Sequence, residues 1–169
     1  MFRGSARSHW WRLRIWKGME ATMTLEFEST FPEHVEELVR IRIAAMRDSL
    51  TRIGRFDPDR ARERFETGFK PEYTRFILVD GQRVGFVVVK PDVNGLRLDH
   101  LYIEPEHQGR GTGGKVLEII FSTADRLGLQ IEVTALRDSE SNNFYRKHGF
   151  EYQGETEWDI NYIRKGREQ

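Results

Sequence analysis

Nine residues from His107 to Lys115, His-Gln-Gly-Arg-Gly-Thr-Gly-Gly-Lys, concentrate four glycines and two cations in one stretch. Such density at a helix start offers several backbone N–H groups to one anion, and the helix dipole favours negative charge there. The chemistry this suits is phosphate binding. Three patterns overlap in the stretch. Gly109, Gly111 and Gly114 spell G-x-G-x-x-G, but in a dinucleotide fold that motif directly follows the first strand of a βαβ unit. Here Pro105 to Gln108 intervene, and the acid about 20 residues on is Glu132, in mid-strand. Gly109, Gly114 and Lys115 spell G-x-x-x-x-G-K, yet Val116 stands where a magnesium-binding hydroxyl is needed. The third pattern is Q/R-x-x-G-x-G/A, matched by Gln108, Gly111 and Gly113 after Leu101-Tyr102-Ile103-Glu104-Pro105. Other chemistries lack their residues. There is no cysteine, no H-E-x-x-H and no G-x-S-x-G, and His9, His34, His100, His107 and His148 show no metal-ligand spacing.

The elements that must position this stretch are readable from periodicity. Leu25 and Phe27 alternate with polar residues as in a half-buried strand, and Val35, Leu38, Val39, Ile41, Ile43 and Met46 form an apolar helical stripe after Pro32. Asp57-Pro58 predicts the cap and first turn of a second helix, after a loop from Leu50 to Phe56. Phe76 to Val79 and Val84 to Val89 form a hairpin around Asp80-Gly81-Gln82, and Asn94-Gly95 turns into a strand from Leu96 to Ile103. A helix over about Gly111 to Leu127, a strand, a short helix near Glu140 to Lys147 and two strands complete the order β-α-α-β-β-β-α-β-α-β-β. Leu96 and Leu98 share one strand face and Leu101 and Ile103 share one, but the step between the pairs is odd. Either a β-bulge sits at Asp99 and His100, or the strand is buried on both faces.

The Q-x-x-G-x-G pattern, the later run Ser141-Asn142-Asn143-Phe144-Tyr145-Arg146-Lys147-His148-Gly149-Phe150 and the element order from Met23 to about Arg164 together resemble the GCN5-related N-acetyltransferase (GNAT) superfamily. The resemblance implies an α/β fold of the α+β mixed-sheet kind. Its central sheet would be mixed and mostly antiparallel, with a bulged, splayed central strand and helices on both faces. It implies acetyl-CoA as co-substrate, no metal, and direct transfer to a primary amine in a small molecule, an amino acid or a protein. The cofactor-binding residues it implies are Leu101, Tyr102 and Ile103 for the pantetheine arm, and Gln108, Gly109, Arg110, Gly111, Thr112, Gly113 and Gly114 for the pyrophosphate. Asn142 and Tyr145 complete the set. Lys115 is a further cation for phosphates. Tyr145 is the candidate general acid, since an unperturbed phenol near pKa ~10 can protonate a departing thiolate.

For the general base the family often uses an acid on the bulged strand. Arg97 occupies one such position, which leaves Asp99 and His100 as nearest substitutes and Glu104 as third. Asp138 stands where an asparagine contacting the cofactor is common. Acceptor choice falls to Met46 to Arg64, whose Arg47, Arg52, Arg55, Arg60, Arg62 and Arg64 are either a pocket for an anionic or zwitterionic amine or the solvated faces of two helices. The contrasting function is a non-catalytic module of the same fold that senses acyl-CoA.

The 169-residue chain has the size of one domain, and its 27 basic and 27 acidic residues exclude a broadly basic nucleic-acid surface. The balance hides an asymmetry. Residues 1–19 carry Arg3, Arg7, Arg12, Arg14 and Lys17 with no acid, so the remainder is acidic. Residues 1–22 therefore read as a basic, tryptophan-rich extension, expected to be poorly ordered and upstream of a start at Met19 or Met23, with 23–169 as the catalytic domain. Arginines interrupt its apolar residues, which argues against a signal peptide, and no run reaches the ~20 apolar residues of a membrane span. A cytoplasmic enzyme without nucleic-acid or integral membrane partners is expected, with homodimer formation left open.

Overall fold

A computed structural model describes Trp16, Lys17 and residues 23–167. The rest of the N-terminal extension, and with it the expectation of poor order, lies outside the described residues. Trp16–Lys17 form a two-residue strand, β1, antiparallel to β2 (Thr24–Ser29). A 3-10 turn at Pro32–His34 leads into α1 (Val35–Arg52), which runs three residues into the loop expected from Leu50. Then α2 (Pro58–Gly68) opens with the Asp57 carboxylate accepting a hydrogen bond from the Arg60 N–H at 3.0 Å, the cap that Asp57-Pro58 predicts. The chain continues through β3 (Thr74–Val79), β4 (Gln82–Asp92), β5 (Gly95–Ile103) and α3 (Thr112–Arg126). It ends with β6 (Gln130–Leu136), α4 (Ser141–Lys147), β7 (Glu151–Glu155) and β8 (Asp159–Arg164).

These strands form one sheet in the order β1-β2-β3-β4-β5-β6-β8-β7. Every pairing is antiparallel except β5 with β6. The hairpin between β3 and β4 turns on two residues, Asp80 and Gly81, both left-handed at φ 49° and 80°; Gln82 already belongs to the strand. Helices cover both faces. On one, Leu38, Val39 and Ile41 of α1 and Phe65 of α2 pack on Phe76, Phe86 and Val88. On the other, Val116, Leu117, Ile120 and Ala124 of α3 pack on Leu25, Val87, Val89, Leu96, Leu98 and Ile131, with Tyr145 of α4 in the same cluster. The fold class expected from the resemblance is the one observed. Val84 has no counterpart on β3, since Ile77 pairs with Gly85 and Leu78 with Arg83; this second bulge explains why Val84, Val87 and Val89 share a face. No described helix is long and apolar enough to cross a membrane.

Candidate active site

The odd step in β5 is a bulge. Val88 pairs with His100 and Val89 with Leu98, so Asp99 has no opposite residue on β4. The extra residue puts Leu96, Leu98, Leu101 and Ile103 together on the α3 face and turns His100 and Tyr102 toward α1 and α2. It also coincides with an opening. β5 pairs with β6 only from Gly95 to Leu98, opposite Gln130 to Val133, so Leu101, Tyr102 and Ile103 pair with β4 and, among the described residues, with no strand on their other edge. Parallel partners in a twisted sheet cannot stay in register past a bulge that lengthens one of them.

The strand leads to the glycine stretch through a 3-10 turn at Pro105–His107. The Gln108 side-chain amide donates to the Ile103 carbonyl at 2.8 Å, tying the loop to the strand end. Gly109 and Gly111 take φ 75° and 79°, left-handed values that side chains disfavour. Gly111 is the N-cap of α3 and contributes no capping side chain, so the first-turn amides of Thr112, Gly113 and Gly114 are left for an external acceptor. The Arg110 guanidinium folds back onto the Glu106 carbonyl at 3.2 Å.

Gly113 and Gly114 answer to a second demand. A Cβ on Gly113 would stand 3.2 Å from the Phe144 ring, and one on Gly114 2.9 Å from His148 Nε2. Their bareness lets α4, the helix that carries Tyr145, dock on the first turn of α3. Tyr145 is buried among Phe144 and Phe150, with ring centroids 5.3 and 5.4 Å away. Burial, and then the neighbouring Tyr102 phenol, push its pKa up. Burial likewise raises Tyr102, against the charge and hydrogen bond of Arg42.

His100 stacks on Tyr102 at 5.5 Å and 27° and leans on Phe65 at 5.7 Å. Burial in this aromatic setting pushes its pKa down to about 4 despite the opposing pull of Asp99, so the imidazole is neutral at physiological pH. For Asp99 burial acts upward, but the Lys90 hydrogen bond at 2.8 Å and the charges of His100, Lys90 and Arg97 outweigh it and hold the carboxyl below its ordinary value. Glu104, the third candidate, is buried and paired with Arg40 of α1 at 2.9 Å. With Glu106 and His107 it brings three ligand-type atoms within 4.8 Å, though the Arg40 pair competes for its carboxylate.

Asn142 is engaged on every side. Its amide donates to the carbonyls of Leu136 and Ser139 at 2.8 and 2.9 Å, and its oxygen accepts from the Tyr162 hydroxyl at 2.9 Å. It braces the link between β6 and α4, where Asp138 takes a left-handed φ of 67°. The arginines expected near the acceptor lie outward: Arg62 pairs with Glu36 and Glu66, Arg52 lies 3.8 Å from Glu140, Arg47 covers Phe56, and Arg55 covers Trp158. The inward arginine is Arg42, which sequence reasoning passed over. Its signal was spacing: it stands four residues after Leu38 and three after Val39, on the buried stripe of α1. A cavity of about 220 Å³ lined by Val79, Val84, Arg110 and Thr112 lies on the β3 and β4 side of the loop, away from the opening between β5 and β6.

With this geometry in view, residues 72–152 match the family model described as acetyltransferase (GNAT) domain. No curated protein matches the chain in sequence. Among solved structures, the fold is similar to PaiA N-acetyltransferase from Thermoplasma acidophilum in complex with coenzyme A, at 17% identity and TM-score 0.69 over 83% of this chain and 98% of that one. An acetyltransferase from Thermus thermophilus gives 20% identity and TM-score 0.67 over 83% and 96%. The apo form of YjaB from Escherichia coli gives 23% and 0.61 over 87% and 100%.

Proposed function

Because residues 72–152 match the GNAT acetyltransferase domain model, we propose that the chain transfers an acetyl group from acetyl-CoA directly to a primary amine in a ternary complex. One observation carries this reading. Past Leu98 the central strand leaves β6, the uncapped start of α3 stands at the end of that strand, and Tyr145 lies within electrostatic reach of Tyr102 on it. The pyrophosphate would rest on the amides of Thr112, Gly113 and Gly114, and the pantetheine amides would pair with the open edge of Leu101 to Ile103. The coenzyme A complex of PaiA supports acyl-CoA as the co-substrate.

The amine nitrogen attacks the thioester carbonyl, forming C–N as C–S breaks; nitrogen loses a proton and sulfur gains one. Tyr145 gives the proton to sulfur. Burial keeps the phenol protonated across physiological pH, and the same desolvation raises the proton affinity of the departing thiolate. Asp99 and His100 take the proton from nitrogen. Both are weak bases, but attack leaves the nitrogen positively charged and acidic, so a weak base suffices once the C–N bond has begun to form.

Coenzyme A release measured over a panel of primary amines tests this. Release that requires both acetyl-CoA and an amine is expected. Stabilisation of the protein by acetyl-CoA without amine-dependent release overturns it in favour of a binding module.

A further inference from the structure

Arg42 is 8% exposed, in the middle of α1. One arm of its guanidinium, Nη1, donates at 2.7 Å to the Ala61 carbonyl of α2, and its centre lies 5.9 Å from the Phe65 ring centroid. Its Nε hydrogen is buried without a partner. No carboxylate among the described residues lies within ion-pair distance of it. The contrast with more exposed arginines is sharp: Arg62, Arg83 and Arg97 each hold two carboxylates, Arg83 pairing with Glu28 and Glu37. A buried guanidinium with no counter-charge is a costly arrangement that a folded protein keeps where an anion arrives from outside.

The position says which anion. Arg42 and His100 share the Phe65 ring, at 5.9 and 5.7 Å from its centroid, and His100 stacks on Tyr102, whose phenol feels the Arg42 charge. This is the α1 and α2 face of the opened strand, where the groups proposed to deprotonate the amine are found. With Nη1 tied to α2 and a further hydrogen bond of the guanidinium taken by Tyr102, the Nε hydrogen is the donor left for a carboxylate.

We infer that Arg42 binds a carboxylate carried by the acceptor, so that the acceptor is an amine bearing a carboxylate, such as a free amino acid. The assignment rests on the acetyltransferase reading above. In an amino acid the two groups are one or a few carbons apart. With the amine at His100 and Asp99, the carboxylate falls one ring away, at Arg42.

The test pairs the twenty free amino acids, β-alanine and γ-aminobutyrate with their carboxamides, in wild type, Arg42→Gln and Arg42→Lys. For the accepted compound, kcat/KM is expected to favour carboxylate over amide by about 100-fold. Arg42→Gln should abolish that preference through KM while leaving the amide within about threefold, and Arg42→Lys, which keeps the charge but not the Nε donor, should retain only part of it. Equal turnover of acid and amide by wild type, turnover of neither together with no carboxylate-dependent binding, or an equal loss for both in Arg42→Gln overturns the assignment. Should Arg42→Gln fail to fold, the wild-type preference and Arg42→Lys decide. Calorimetric titration with the same pairs separates the two readings. Carboxylate-dependent binding that Arg42→Gln loses, with no acetyl transfer, overturns the acetyltransferase reading alone; transfer without carboxylate preference overturns the Arg42 assignment alone.

Discussion

Lys90 Nζ stands 2.8 Å from Asp99 Oδ2, so the carboxylate that the β5 bulge throws out of the ladder is held by a cation from the neighbouring strand. The contact helps to hold the Asp99 carboxyl below its ordinary value against the upward push of burial. If Asp99 must be ionised for turnover, activity disappears as pH falls through its pKa. Lys90→Met removes the hydrogen bond and the charge, so the acid limb of kcat/KM against pH is expected to move to higher pH. Asp99→Asn should lower kcat by about 10²- to 10⁴-fold. An unmoved limb in Lys90→Met removes Asp99 as the titrating base.

Tyr145 is 7% exposed, and its hydroxyl makes no hydrogen bond among the described residues. Tyr145→Phe therefore leaves packing intact, and its urea midpoint should stay within about 0.5 kcal/mol of wild type. Its kcat should fall by about 10²-fold or more with KM for acetyl-CoA unchanged. Unchanged turnover would show that the sulfur takes its proton elsewhere.

His100 ties stability to pH. An imidazole whose folded pKa is about 4 binds fewer protons folded than unfolded, so stability falls as pH drops from about 6.5 toward about 4. The loss is at most about 3 kcal/mol at the low end. His100→Phe keeps a ring against Tyr102 and Phe65 without titrating, so its denaturation midpoint should change less across that window. Parallel pH curves for the two proteins count against the burial of a neutral imidazole.

Two glycine substitutions should differ in severity. A Cβ on Gly85 would stand 2.1 Å from the Tyr102 carbonyl oxygen, which is backbone and held in the β4–β5 ladder. A Cβ on Gly114 meets the end of the His148 side chain, which can swing aside. Gly85→Ala is expected to cost more than about 3 kcal/mol by urea unfolding, and Gly114→Ala about 1 kcal/mol or less.

Much of the architecture was legible because it is local. Apolar periodicity located each helix and strand from Met23 onward, Asp57-Pro58 located a cap, and the odd step from Leu98 to Leu101 left two candidates of which the bulge is observed. Boundaries moved where backbone bonding outran side-chain pattern, as when α1 continued to Arg52. The second bulge at Val84 was missed, because a run of Val and Phe buried on both faces conceals a change of parity.

What the sequence determined by itself was the succession of elements and the glycine-rich helix start, since propensity, capping and left-handed turns are written in neighbouring residues. Only the tertiary structure decided what each polar group faces. It set the end of β5–β6 pairing at Leu98, engaged Asn142 with Leu136, Ser139 and Tyr162, and gave Gly113 and Gly114 to the docking of α4. It also sent the arginines of the Met46 to Arg64 segment outward while leaving Arg42 inside. The reason is physical: burial and the partner of a charge depend on segments far away in the chain, which no local spacing encodes.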